Sequence, residues 1–212
     1  MRSEFQCLKH NETWSYKSTI PASTQPIGCK WVFLLKTNPD GTQRFKARLV
    51  IKGYQQIPGI DFGETFAPVA RLVSFHVLVA LTALNKLEMH HMDVSTAFLN
   101  PPINGEIYMQ LPEGIEWLES SRPVSTAVCK LNSVLYGLNQ APRLWYDHIE
   151  KFFQTIQLHR SLNDCNLYIA NDHKLLLLLY VDNILIVSKD LSRIKAIKNQ
   201  LHAQYKMNDL HQ

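Results

Sequence analysis

The sequence is poor in the features that mark membrane spans and disulfide scaffolds. Its longest unbroken apolar run, 175–181, is seven residues, whereas a helix needs about 20 to cross a bilayer. The first eleven residues are polar, so no secretory signal is expected there. Cysteine is scarce: Cys7, Cys29, Cys129 and Cys165 are scattered, with no C-x-x-C pair and no Cys/His spacing. That excludes the usual zinc modules and a disulfide framework, and makes a reduced, intracellular setting the default, with cytoplasm and nucleus equally open. Charge is also thin. Only 19% of residues are charged, and the net charge of +4 is too small an excess to argue for nucleic acid by itself. There is no internal repeat and no low-complexity segment.

What is present is apolar patterning. Hydrophobic residues make up 46% of 212 residues, enough for one or two domains with a real core. Residues 1–29 read as mixed, with Pro21, Pro26 and Gly28 breaking regular structure. Segments 31–36 and 44–51 are β-prone and flank Asn38-Pro39-Asp40-Gly41, a strong turn signal, so a β-hairpin is expected. Its second strand carries Arg44, Lys46, Arg48 and Lys52. All are even-numbered and project from one face. Such a strip is either a phosphate contact or a solvated outer face.

Leu72, Phe75, Leu78, Val79, Thr82 and Ala83 predict a buried helix over 71–86. A strand is expected over 87–94, a short helix over 95–100 ended by Pro101-Pro102, and a short strand over 106–110. Residues 112–127 read as a polar loop. An extended segment over 128–135 leads to Tyr136-Gly137-Leu138. Trp145, Ile149, Phe152 and Ile156 form one apolar stripe on a helix that begins near Pro142. Strands follow over 164–170 and 175–188, and a last helix begins near Asp190. Strands and helices mix without a βαβ alternation, which is an α+β pattern.

The stretch 175–188, LLLLLYVDNILIVS, is two apolar runs around one acid. It reads as a hairpin with Asp182 and Asn183 at its tip. The pair is either a metal-holding carboxylate on a rigid turn or a plain Asp-Asn turn.

Five stretches together resemble the reverse transcriptase domain of copia-type retrotransposons. They are KWVFLLKTNPDGTQRFKARLVIKGYQQIPGIDFGETFAPVAR (30–71), HHMDVSTAFLN (90–100), EIYMQLPEG (106–114), VCKLNSVLYGLNQAPRLWY (128–146) and LLLLLYVDNILI (175–186). The resemblance runs along almost the whole chain. It implies a single reverse transcriptase domain with a right-hand polymerase fold, fingers mainly in 20–86 and palm mainly in 87–212. The palm would be an antiparallel sheet backed by helices.

The implied activity is RNA-directed DNA synthesis on an RNA or DNA template with a primer, using dNTPs. Two Mg²⁺ ions, with Mn²⁺ as an alternative, would clamp the reacting oxygens. Asp93 and Asp182 match the positions that bridge both ions, and the Val94 carbonyl is a further implied ligand. Phe98, five residues after Asp93, matches the bulky residue that closes the sugar 2′ side. Lys46 and Arg48 match residues that hold the triphosphate, with their division of labour open. Gly137, Gln140 and Pro142 match a motif that positions nucleotide and template. Arg143 and Tyr180 fall beside the template and primer, although Arg143 reads equally as a helix-start charge.

Three departures stand out. The family's Tyr-x-Asp-Asp tip is here Tyr180-Val181-Asp182-Asn183, so the second carboxylate is an amide; Asn183 still matches a catalytic, metal-binding position of the family, where it can offer the cation an amide oxygen but no charge. Losing a buried charge partner costs on the order of 3–5 kcal/mol, or on the order of 10²–10⁴ in rate if all of it reaches the barrier. Pro101-Pro102-Ile103-Asn104 replaces a Gly followed by acids, and His211 replaces a Gly. By the family's standard the thumb is largely absent, no integrase, protease or RNase H is expected in the chain, and it reads as a truncated copy. Two functions follow: an impaired polymerase, or a catalytically dead remnant that at most binds nucleic acid. The five ordered motifs stand against a purely structural α+β domain.

Overall fold

A computed structural model describes residues 1–22, 24–37, 40–118 and 127–210. Asn38-Pro39 of the expected turn, most of the end of the 112–127 loop, and His211 lie outside the described residues. The elements run α1 (Arg2–His10), β1 (Trp14–Lys17), β2 (Cys29–Thr37), β3 (Gln43–Ile51), α2 (Leu72–Asn85), β4 (Glu88–Val94), β5 (Tyr108–Met109), α3 (Ile115–Leu118) and β6 (Val128–Leu131). They continue with α4 (Ala141–Thr155), β7 (Leu158–Arg160), β8 (Leu167–Ala170), β9 (Leu175–Tyr180), β10 (Asn183–Ser188), α5 (Leu191–Gln204) and β11 (Met207–Asp209). The chain mixes α and β, and every paired strand within its sheets is antiparallel.

Two compact units form, one from residues 1–65 and 98–144, the other from 66–97 and 145–212. The first holds the sheet β1-β6-β5 and the hairpin β2-β3. Its core gathers Leu8, Ile27, Leu49, Ile51, Met109, Leu131 and Leu135. The N-terminal stretch is more regular than its prolines and glycine suggest, because α1 precedes them. Phe5 and Leu8, three apart, bury one face of that helix. Asn11 ends it, its side-chain amide donating to the Cys7 carbonyl at 2.7 Å.

The second unit is the six-stranded sheet β11-β4-β10-β9-β8-β7 with its helices. Strand alternation gives it two faces. On one, Met92, Val94, Ile184 and Ile186 are at most 2% exposed, and Ile194 and Leu201 of α5 are buried with them. Tyr205 meets Trp145 and Phe152 of α4 edge-on, with ring centroids 5.6 and 5.3 Å apart. On the other face, Leu78 of α2 packs with Leu178 and Val187.

α2 corrects one expectation. It is helical as the spacing predicts, but Leu78 is its one fully buried residue. Leu72, Val73 and Leu84 are 68–81% exposed. The helix is apolar all round, and only one side of it rests on the sheet. Among the described residues no helix is long and apolar enough to cross a membrane, and all four cysteines are free.

The start of α2 is capped from a distance. Asp164 accepts from the Arg71 N–H at 3.0 Å and the Ser74 hydroxyl at 2.5 Å, and its second oxygen accepts from the Asn166 N–H at 2.9 Å. Burial raises the pKa of this carboxyl, but the hydrogen bonds from Ser74, Arg71 and Asn166 outweigh it and hold the group below its ordinary value. An unfolded Asp titrates near 3.9. The stabilisation is therefore complete above that pH and is lost as pH falls through the lower folded value. Asp164→Asn is expected to lower stability at pH 7 by about 1–3 kcal/mol and to flatten the acid limb of the stability profile. Urea unfolding at pH 7 and pH 3 checks this, and equal loss at both would contradict it.

Candidate active site

The predicted site residues fall into two groups, one in each unit. In the second unit, strand register lines up one row across four strands. Tyr180 pairs with Asn183, Asn183 with Asp93, and Asp93 with Asn208. Cross-strand partners share a face, so these four side chains stand together, on the face opposite Met92 and Val94. The tip is fastened to the same strand, with the Val94 N–H donating to the Asp182 carbonyl at 2.7 Å. Asp93 and Asp182 are thereby held at neighbouring ends of β4 and the β9-β10 hairpin.

The turn itself corrects the sequence reading. Val181 and Asp182 form the tip, and Asn183 is already the first residue of β10. The plain Asp-Asn turn is therefore not what forms. Instead Val181 takes the left-handed conformation at φ +58, costly for a β-branched residue. The Trp145 indole N–H holds this strained residue by donating to its carbonyl at 2.7 Å.

Each carboxylate has an amide donor. Asn183 Nδ2 donates to Asp182 Oδ1 at 2.9 Å, and Asn208 Nδ2 donates to Asp93 Oδ2 at 3.0 Å. The Asn183 oxygen accepts from the His91 ring N–H at 2.8 Å. The oxygen expected as a metal ligand is thus taken by His91, and the amide nitrogen faces the carboxylate. Asn208 and His91 escaped the sequence reading. His91 lies two residues before Asp93, where strand alternation would have put it on the same face. Asn208 is joined to Asp93 only by long-range pairing.

In the first unit the expected hairpin forms from β2 and β3. Leu34 pairs with Lys46 and Val32 with Arg48. Ala47, Leu49 and Ile51 are buried on one face, leaving Arg44, Lys46 and Arg48 on the other. Lys36 pairs with Arg44 and Lys30 with Val50, so two further cations share that face. The even spacing of β2 carried this signal too. Lys52 falls outside the strip, because β3 ends at Ile51. Partial burial, together with the Arg48, Lys36 and Arg44 charges, holds the Lys46 ammonium below its ordinary pKa, with Glu4 opposing. A self-repelling cluster of this kind gains from an anion. The Arg48 guanidinium lies 4.8 Å over the Tyr136 ring, which meets Phe98 edge-on at 5.3 Å.

Three other candidates are held by the fold. Gly137 has φ +95, and a Cβ there would lie 2.2 Å from the Ile51 carbonyl oxygen. The glycine is required by this chain-to-chain approach. Gln140 is buried, accepting from Gln56 Nε2 at 3.0 Å and donating to the Asp61 carbonyl at 3.2 Å. Its amide thus ties down the 53–61 segment and does not face outward as a template contact would. Arg143 lies 3.9 Å from the Glu64 carboxylate. The Pro101-Pro102 loop is fastened to residues 132–134, with the Val134 N–H donating to the Pro101 carbonyl at 3.1 Å and the Ile103 N–H to the Asn132 carbonyl at 3.2 Å.

The donor chemistry of the carboxylate edge fits a hard divalent cation. Asp93 and Asp182 supply carboxylate oxygens, and Mg²⁺ commonly takes one or two carboxylates and completes its shell with water and phosphate. Among the described residues no three His, Cys, Asp or Glu side chains group to hold a metal.

Residues 11–212 match the family described as reverse transcriptase (RNA-dependent DNA polymerase), and the chain belongs to that family. It is 40% identical to the retrovirus-related Pol polyprotein from transposon TNT 1-94 of Nicotiana tabacum, over 99% of this chain and 16% of that protein. It is 35% identical to the retrovirus-related Pol polyprotein from transposon RE1 of Arabidopsis thaliana, over 99% of this chain and 14% of that one. The Transposon Ty1-H Gag-Pol polyprotein of Saccharomyces cerevisiae is 26% identical over 82% of the chain. These retrotransposon relatives agree with the copia-type resemblance. The chain spans about a sixth of the length of the two plant polyproteins.

Two substitutions should move stability in opposite directions. Gly137→Ala places a methyl against the Ile51 carbonyl at a positive φ, and is expected to cost more than about 3 kcal/mol. Val181→Asn relieves a left-handed valine and should gain about 1 kcal/mol. Chemical denaturation measures both, and a neutral Gly137→Ala would contradict the packing account.

Proposed function

We propose that the chain carries the nucleotidyl-transfer centre of an RNA-directed DNA polymerase, extending a primer on an RNA or DNA template with dNTPs. The observation that carries this reading is the Val94 N–H, next to Asp93, donating to the Asp182 carbonyl at 2.7 Å, which holds the two acids at adjoining strand ends. In this reading the β2-β3 hairpin belongs to the fingers. The six-stranded antiparallel sheet, backed by α4 and α5, is the palm of a right-hand polymerase. The setting is intracellular, where dNTPs are supplied.

The reaction forms a bond from the primer 3′ oxygen to the α-phosphorus, breaks the bond to pyrophosphate and releases the hydroxyl proton. Such transfer is mostly positioning and charge stabilisation. Asp93, Asp182 and the Val94 carbonyl would hold two Mg²⁺ ions, or Mn²⁺. When bound, the ions neutralise phosphate charge and make the hydroxyl more acidic. Lys46 and Arg48 hold the triphosphate, with Tyr136 steadying Arg48. Phe98 closes the space that a ribose 2′-hydroxyl would need. Tyr180 and Arg143 contact primer and template, and Gly137 and Gln140 shape the unit that presents Arg48.

A second reading, a nucleic-acid binder without catalysis, is favoured by the amide at 183. Its nitrogen donates to Asp182, where a third carboxylate would add charge for the cation. Primer extension on an RNA template with Mg²⁺ and with Mn²⁺ separates the two. Asn183→Asp is expected to raise the rate, by on the order of 10²–10⁴ if the whole charge deficit lies in the barrier. Asp93→Asn should reduce it to background. Extension unaffected by Asp93→Asn would sink the polymerase reading, and no gain from Asn183→Asp would remove residue 183 as the limiting defect.

A further inference from the structure

Lys198 of α5 is buried, at 8% exposed. Its ammonium lies 2.6 Å from Asp209 Oδ2 and 2.9 Å from His90 Nδ1. A buried ammonium is unfavourable unless paired and hydrogen-bonded. Here the partners come from two strands, so one charge joins α5, β11 and β4.

β11 is three residues long and lies at the edge of the sheet, where among the described strands it pairs with β4. The Ser95 N–H to the Lys206 carbonyl at 2.8 Å and the Leu210 N–H to the His91 carbonyl at 3.0 Å extend that pairing on either side. Alternation turns Met207 and Asp209 toward the face that carries Met92 and Val94. Asn208, between them, turns to the opposite face and donates to Asp93 Oδ2 at 3.0 Å. Fixing Asp209 on one face therefore fixes the amide on the other.

We propose that Lys198 is a positioning residue for Asp93. By gripping Asp209 it sets the register and tilt of β11. Asn208 then occupies one Asp93 oxygen and leaves the other oriented toward a divalent cation. The proposal rests on the reading of Asp93 as a metal ligand.

The test is Mn²⁺ titration of the full chain by electron paramagnetic resonance, paired with amide hydrogen exchange. Lys198→Met should weaken Mn²⁺ binding by about tenfold. It should also speed exchange at the Leu210 N–H, which donates to the His91 carbonyl at 3.0 Å, while β8 and β9 stay protected. Asn208→Ala, at an exposed position, should weaken binding equally, and the double variant should be no weaker than either single one. If Lys198→Met does not fold, Asp209→Asn carries the same expectation with the side-chain shape kept. Unchanged affinity in the variants, or additive losses, would overturn the positioning role alone. A parent chain whose Mn²⁺ binding ignores Asp93→Asn would overturn it together with the polymerase reading.

Discussion

Everything at the carboxylate edge depends on strand register. Asp93 sits between Asn183 on β10 and Asn208 on β11 because β4 pairs with both. A slip of one residue on either side would turn a whole set of side chains to the wrong face. The register is guarded from behind by Met92, Val94, Ile184 and Ile186, all essentially excluded from water. Each such burial contributes about 1.5–3 kcal/mol. The polar row is thus placed by the apolar face behind it.

The tip shows the opposite economy, with local strain tolerated where it serves the geometry. Val181 is in a conformation that favours glycine or asparagine. The Trp145 hydrogen bond and the two flanking strands hold it there, and the strained turn delivers the Asp182 carbonyl to the Val94 N–H. In the other unit, Gly137 allows two backbone segments to touch and Gln140 ties a third to them. These two motif residues build the support beneath the basic hairpin, whose Arg48 rests on Tyr136.

Much of this was legible in the residues alone. The β2-β3 hairpin, the helices at α2, α4 and α5, and the strand ending at Val94 all follow from periodicity. Asp93 and Asp182 are singled out by the resemblance to the family's motifs, and the cationic strip by even spacing. What escaped was long-range. The Asn208–Asp93 bond, the Lys198–Asp209 pair and the distant cap at Asp164 join residues 90 or more positions apart, or follow from an edge strand of three residues that no periodicity reveals. The exposed flank of α2 escaped for a different reason: an all-apolar helix reads as buried, and spacing does not say what covers it. Asn183 was misplaced by a single residue, because a strained valine was not a natural choice for a turn.

The chain belongs to the reverse transcriptase family, and in the proposed polymerase reading Asn183 is the weakest part of the site. In the proposed reading Asp93 and Asp182 would hold a cation with an amide where a third charge is expected, and that amide is engaged by His91 and Asp182. The most direct test is the stoichiometry and affinity of Mn²⁺ binding in the parent chain and in Asp93→Asn, Asp182→Asn and Asn183→Asp. Saturable binding that either aspartate substitution removes and that Asn183→Asp tightens is expected. Binding indifferent to all three substitutions would contradict the proposed reading.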